Sequence, residues 1–272
     1  MSEKVRTFIK VLMTGGSILI ALVVLFSLVF RAPEPVEAGP TPDGAARLIK
    51  AYPAQKLRYA GNRIIFPDGY AIVYDDGKTK SFEEKLADGD IEDMFSAEYG
   101  SSERPGYLAD GGRIRNERFF QKMYGASAAE VYKRLVTVDW FGKKVKFTSV
   151  NGAAGRLQAV AEELAVNFPN LRPYLASAGT FNWRKVHLAN IMSPHSYGIA
   201  IDIAVSNSDY WKWRYPRASE VDRIGYRNRI PLELVRVFEK HGFVWGGRWY
   251  HYDTMHFEYR PEIVVTAEAC SK

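Results

Sequence analysis

The chain is almost devoid of cysteine. Cys270 is the one cysteine in 272 residues. An intrachain disulfide, a cysteine-rich zinc finger and an iron–sulfur cluster are therefore excluded. Histidine is also scarce, at 5 residues, and the helical His-Glu-x-x-His pattern of common zinc proteases is absent. No internal repeat is visible. Apolar residues at 47% and charged residues at 25% are ordinary globular proportions, which excludes a largely disordered, collagen-like or coiled-coil chain. Excess charge is small as well. The net charge is +6, and residues 1–31 supply +3 of it through Lys4, Arg6, Lys10 and Arg31 against Glu3. The remaining +3 is too weak to indicate a nucleic-acid partner.

Long apolar runs are confined to one place. Val11–Phe30 is an uncharged stretch of 20 residues. As a helix rising ~1.5 Å per residue it spans roughly 30 Å, the thickness of a bilayer's hydrocarbon core. Three basic residues before it and one after favour a cytoplasmic N-terminus. The expectation is a single-pass anchor over residues 1–31, with everything after it outside the cytoplasmic membrane. A cleaved signal segment is the rival reading, with Val36-Glu37-Ala38 as a passable cleavage site. A buried core helix is the third.

Residues 32–47 carry four prolines and few large apolar side chains, which reads as an extended spacer. An N-terminal extension over 48–140 and a core over 141–266 follow. In the extension, Asn62–Phe66 and Ala71–Tyr74 flank Pro67-Asp68-Gly69 and predict a β-hairpin. Residues 82–95 read as a polar helix. Asn116–Tyr124 reads as a short amphipathic helix stopped by Gly125, with Ser127 capping another that runs to about Leu135. Val145–Val150 predicts a strand. Ala153–Asn167 predicts a strong helix, with Leu157, Val160, Ala161, Leu164 and Ala165 at helical spacing.

The chemically informative text is Ser193-Pro194-His195-Ser196-Tyr197-Gly198-Ile199-Ala200-Ile201-Asp202-Ile203. Gly198–Val205 alternates as a strand. Ile199, Ile201 and Ile203 share one face; Ala200, Asp202 and Ala204 share the other. A carboxylate in the middle of an apolar strand needs a cation or an ion pair. His195 precedes the strand in a proline-led turn. Farther on, His256, Glu258 and Arg260 share one strand face, with Asp253 three residues before His256. Pro231–His241 predicts an amphipathic helix, and Phe243-Val244-Trp245 a strand entering a Gly246-Gly247 turn. Two histidines and an aspartate suit zinc with one open position. An ion-paired Asp202 with structural histidines is the other reading of the same spacing.

Ser193-x-His195-x-x-Gly198-x-Ala200-x-Asp202 followed by Asp253-x-x-His256 resembles the VanY-type family of zinc D-Ala-D-Ala carboxypeptidases and L-alanyl-D-glutamate endopeptidases. The resemblance extends over about Leu108–Glu262 and includes Gly112-Arg113-Ile114-Arg115-Asn116, Phe181-Asn182-Trp183-Arg184 and Gly242–Gly247. It implies an α+β fold in which helices and a small antiparallel sheet surround a zinc cleft. It implies His195, Asp202 and His256 as ligands of Zn2+, Asp253 as the group that activates water and protonates the leaving amine, and Arg184 as the arginine that meets a substrate carboxylate or the scissile carbonyl. Peptidoglycan stem peptides would be the substrate. Aspartate at position 253, where many carboxypeptidases have glutamate, is closer to the endopeptidase branch. A wall-binding module that does not cleave is the rival from another class. Ser193 either contacts substrate or caps its turn. His251 is either a substrate contact, a support to the site or an exposed strand residue. His187 and His241 read as surface residues. Trp183, Trp245 and Trp249 either line a cleft or pack the core, and Trp211 and Trp213 fall in a lid-like or merely packed stretch.

Overall fold

The computed structural model describes residues 40–100, 102, 104–186 and 191–264. Among the described residues no helix is long and apolar enough to cross a membrane. The apolar run Val11–Phe30, His187 and Cys270 lie outside them. From Thr41 onward the chain forms one compact unit, so extension and core share a single body.

Helix α1 (Asp43–Ala51) buries Ala45 and Leu48. It begins inside the stretch read as spacer: proline ends at Pro42, and Asp43 opens the first turn, where an acidic side chain suits the positive end of the helix. Strands β1 (Arg58–Ala60), β2 (Arg63–Ile65) and β3 (Ala71–Val73) make a three-stranded antiparallel sheet in that order. The expected hairpin is β2–β3, and β1 adds a strand too short to signal itself in sequence. The polar helix expected over 82–95 stops early. Helix α2 covers Phe82–Asp88, behind a Ser81–Glu84 capping box. Asp90 and Asp93 then turn back to hold the nearly buried Lys80 ammonium at 3.0 and 2.6 Å, with Asp76 at 3.2 Å.

Helix α3 (Glu117–Tyr124) buries Phe119, Phe120, Met123 and Tyr124, and Asn116 caps it through the Phe119 amide. Helix α4 (Ala128–Tyr132) follows its Ser127 cap but ends well short of Leu135. Leu135 instead starts β4 (Leu135–Trp140), which pairs antiparallel with β5 (Lys143–Thr148). Period-2 burial of Val138 and Trp140 outweighs helical propensity there. Helix α5 (Ala153–Asn167) lies where expected and buries Leu157, Val160, Ala161 and Leu164, while Ala165 is exposed.

The core sheet runs β6 (Ser177–Gly179), β7 (Ala200–Ile203), β9 (His256–Tyr259), β8 (Phe243–Trp245), all antiparallel. Helix α6 (Trp211–Arg214) and helix α7 (Leu232–Lys240) complete the body. On the β7–β9 pair, Ile201 faces Phe257. Phe257 stacks at 4.0 Å on Phe238 of α7, and all three are fully buried. That contact fixes which sheet face is core. Because side chains alternate, Asp202 and its partner His256 must take the other face.

Candidate metal centre and cleft

Asp202 and His256 stand opposite each other on β7 and β9, although 54 residues separate them. His195 reaches the same spot from a one-turn 3-10 helix, Pro194–Tyr197. That turn ends at Gly198 with φ +64, a conformation open to glycine, and a Cβ there would lie 2.4 Å from Leu135 Cδ2. Asp202 Oδ1 is 3.2 Å from His195 Nε2 and 3.0 Å from His256 Nδ1. The three donor atoms all lie within 4.8 Å of one another.

The outer nitrogens decide which ring atoms point inward. His195 Nδ1 is 2.7 Å from the Thr180 carbonyl. A carbonyl only accepts, so Nδ1 carries the proton and Nε2 presents a lone pair to Asp202. His256 Nε2 donates to Glu258 Oε2 at 3.1 Å, which leaves Nδ1 as its inward atom. Such outer hydrogen bonds are the usual means of orienting a metal-binding imidazole. The donor set fits zinc: ligands at ~2.0–2.1 Å in a tetrahedron are separated by about 3.3 Å, close to both distances measured here. The acidic groups around Asp90 are different, because the Lys80 ammonium already fills them.

Electrostatics follow from this packing. Burial works against the Asp202 anion, yet the His195 and His256 imidazoles beside it hold its pKa well below the usual carboxylate range. Burial opposes the Glu258 anion too, but His256, Arg115 and Arg260 bring it down to about 2. Asp253 behaves oppositely. Burial, aided by the Asp202 charge, pushes its carboxyl up to about 7. Its Oδ1 is buried and has no hydrogen-bond partner among the described residues. The Asp253 amide donates to the Gly246 carbonyl at 3.0 Å, and a Cβ at Gly246 would lie 2.4 Å from the Asp253 carbonyl oxygen. Glycine at 246 thus permits the close approach that seats Asp253.

The cleft around these groups holds about 270 Å³ and is lined by His195, Asp202, Asp253 and His256 together with Arg184, Ser193 and His251. All seven residues singled out from sequence therefore come to one cavity. Arg184 is exposed on the rim; its Nη1 lies 3.4 Å from the Lys185 carbonyl, while Ser196 Oγ accepts from the Arg184 amide at 2.9 Å and donates to its carbonyl at 2.7 Å. Ser193 caps the His195 turn, accepting from the His195 amide at 3.4 Å. His251 is 1% exposed, so the exposed-strand reading does not hold. Its Nδ1 and amide both bind the Asp110 carboxylate, at 2.5 and 3.0 Å. His241 is half-buried against Glu163 rather than on the open surface. Trp249 lines the cleft, Trp245 packs in the core, and Trp213 stands 57% exposed at the cleft mouth.

Sequence reasoning left the extension without a role, yet it builds one wall of the cleft. Arg113 and Arg115 line it. Residues 109–112 are laced to the second motif: Tyr250 N donates to the Ala109 carbonyl, Trp249 Nε1 to Gly111, and Arg260 Nη1 to Gly112. The available signal was the Gly112–Asn116 text, whose two arginines lie one residue apart.

Residues 187–259 match the family model described as D-alanyl-D-alanine carboxypeptidase. The match takes in both motifs, from Ser193 to Asp202 and from Asp253 to His256. This match supports the VanY-type family of metallopeptidases for residues 187–259. The matched span stops short of Arg184 and of the extension. No curated protein and no solved structure matches the chain.

Proposed function

We propose that the protein is a zinc-dependent, D-Ala-D-Ala carboxypeptidase-like hydrolase of peptidoglycan stem peptides. It works outside the cytoplasmic membrane and is held there by residues 1–31. The observation that carries this reading is the convergence of His195 Nε2, Asp202 Oδ1 and His256 Nδ1 beside a buried, unpartnered Asp253 oxygen. A binding module has no use for a buried carboxyl with one free oxygen beside a metal-binding group; a hydrolase does.

His195, Asp202 and His256 would hold the zinc. Bound there, it would supply Lewis acidity and lower the pKa of a water at the site to about 7. The rest falls to the chain. Asp253, with its carboxyl near 7, accepts the proton of the attacking water as that water's oxygen bonds to the scissile carbonyl carbon. The same carboxyl returns the proton to the amide nitrogen as the C–N bond breaks. Arg184, on the cleft rim, supplies positive charge to the carbonyl oxygen as it becomes an oxyanion. Ser193 and the Thr180 carbonyl keep His195 in place. Aspartate at 253, which resembles the endopeptidase branch, makes that activity the second reading.

The test is mass spectrometry of purified muropeptides incubated with the full chain in detergent, with and without a zinc chelator. Chelator-sensitive loss of one alanine is expected. Splitting at L-Ala–D-Glu would assign the endopeptidase activity instead. Asp253→Asn should retain zinc while turnover falls by roughly 10²–10⁴-fold. No cleavage by a zinc-loaded wild type would overturn the enzyme reading in favour of a binding module.

A further inference from the structure

One cation in the cleft is explained neither by the metal group nor by Asp253. Of the three arginines lining the cavity, Arg113 is fully engaged. It donates to the Glu220 carboxylate at 2.6 and 3.1 Å and to Asp110 at 3.2 Å. Arg184 is exposed at the rim. Arg115 differs from both. It is 7% exposed, and its one hydrogen bond among the described residues runs from Nη1 to the Arg113 carbonyl at 3.1 Å.

The carboxylate beside Arg115 is already in use. Glu258 Oε2 lies 3.8 Å from Arg115 Nη1, beyond hydrogen-bonding distance. That oxygen accepts from His256 Nε2 at 3.1 Å, and Oε1 accepts from Arg260 Nη1 at 2.9 Å. Glu258 thus serves His256, Arg260 and Arg115 and gives Arg115 the longest contact. Arg260, fully buried, is held by more contacts: it binds Glu262, Glu258 and the Gly112 carbonyl, and its Nη2 has no hydrogen-bond partner among the described residues. Burial also lowers the pKa of Arg115, the direction expected of an incompletely compensated cation. A guanidinium has five donors in a planar fork that matches a carboxylate. Arg115 spends one of these on backbone and lines the cavity that holds His256 and Asp253.

We propose that Arg115 is a specificity-determining residue that pairs with a carboxylate of the bound peptide. The inference rests on the peptidase reading of the cleft. Two carboxylates of a stem peptide offer this chemistry: the free C-terminal carboxylate of the departing residue, and the α-carboxylate of a γ-linked glutamyl residue. Pairing with either selects substrates before any bond is broken, because the amide analogue leaves the buried guanidinium without its partner.

The experiment uses the full-length, zinc-loaded protein and two matched pairs of synthetic peptides. One pair ends in a free acid or a carboxamide. The other carries γ-linked glutamate or γ-linked isoglutamine. Values of kcat/KM and calorimetric affinity are measured for wild type, Arg115→Gln and Arg115→Lys. In one pair the wild type should favour the carboxylate by roughly 10- to 100-fold. The pair that discriminates names the source. Arg115→Gln should bring that ratio to near one, with partial recovery in Arg115→Lys. A wild-type ratio near one in both pairs overturns the proposal while cleavage itself leaves the peptidase reading standing, and this arm needs no variant to fold. Discrimination that survives in Arg115→Gln also overturns it. If the zinc-loaded wild type neither binds nor cleaves any of the four peptides, both readings fall.

Discussion

Glu258 is the sharpest place to test how the sheet supports the metal group. It is fully buried and its Oε2 holds His256 Nε2 at 3.1 Å. Glu258→Gln keeps the shape and removes the charge that fixes His256 with Nδ1 inward. Carboxylates in this position typically alter metal affinity by about 10- to 100-fold. That corresponds to about 1.4–2.7 kcal/mol. With zinc in excess over both dissociation constants, the zinc-loaded folded state loses the same amount relative to the unfolded chain. At about 2–4 °C per kcal/mol for a body of this size, the zinc-loaded midpoint should fall by roughly 3–11 °C more than the metal-free midpoint. The assays are competition with a chromophoric chelator and thermal unfolding with and without zinc. Glu262→Gln is the control. Glu262 binds Arg260 and accepts from the Tyr52 hydroxyl at 2.7 Å, but it does not touch His256. It should destabilise the protein without changing zinc affinity. Equal zinc affinity in wild type and Glu258→Gln would refute the reasoning and leave Glu258 as a counterion for the buried arginines.

Two further outcomes test the fold. Phe238→Ala removes the ring stacked at 4.0 Å on Phe257, and should cost about 3–5 kcal/mol in denaturant unfolding; a loss below about 1 kcal/mol would mean that this contact does not set which sheet face is buried. Lys80→Met strips Asp93 of its closest cation. Asp93 is held below the ordinary carboxylate range, against burial, by Lys80 and Lys85. Its contribution to stability is therefore complete above about pH 3.9, the unfolded value, and disappears as pH falls through the lower folded value. The variant should be less stable than wild type at pH 7, and the two stability curves should converge below pH ~3.9. A gap that stays constant into acid would rule out the ion cluster as its origin.

Much of this protein is local enough to read from its residues in order. The helix over Ala153–Asn167 follows from apolar spacing. The Ser127 cap follows from a side chain that bonds the amide three residues on. The alternation of Gly198–Val205 puts Asp202 opposite in orientation to three isoleucines, and that alone made it the residue to explain. Other elements were hidden because their causes are distant. Leu135–Trp140 is a strand because β5 pairs with it. Residues 90–93 leave the helical path because two aspartates close on Lys80.

The candidate site divides the same way. Residue types and spacing determined which side chains are chemically suited to a metal and which carboxyl stands apart from it. Tertiary structure decided the rest. The register of β7 against β9 brings Asp202 to His256, and the Thr180 carbonyl selects the inward nitrogen of His195. The extension's loop over 109–115 carries two arginines into the cavity wall. A strand's own sequence dictates which of its side chains share a face. Which side chains meet across strands depends on register and loop closure, and these are settled only when the buried faces find one another.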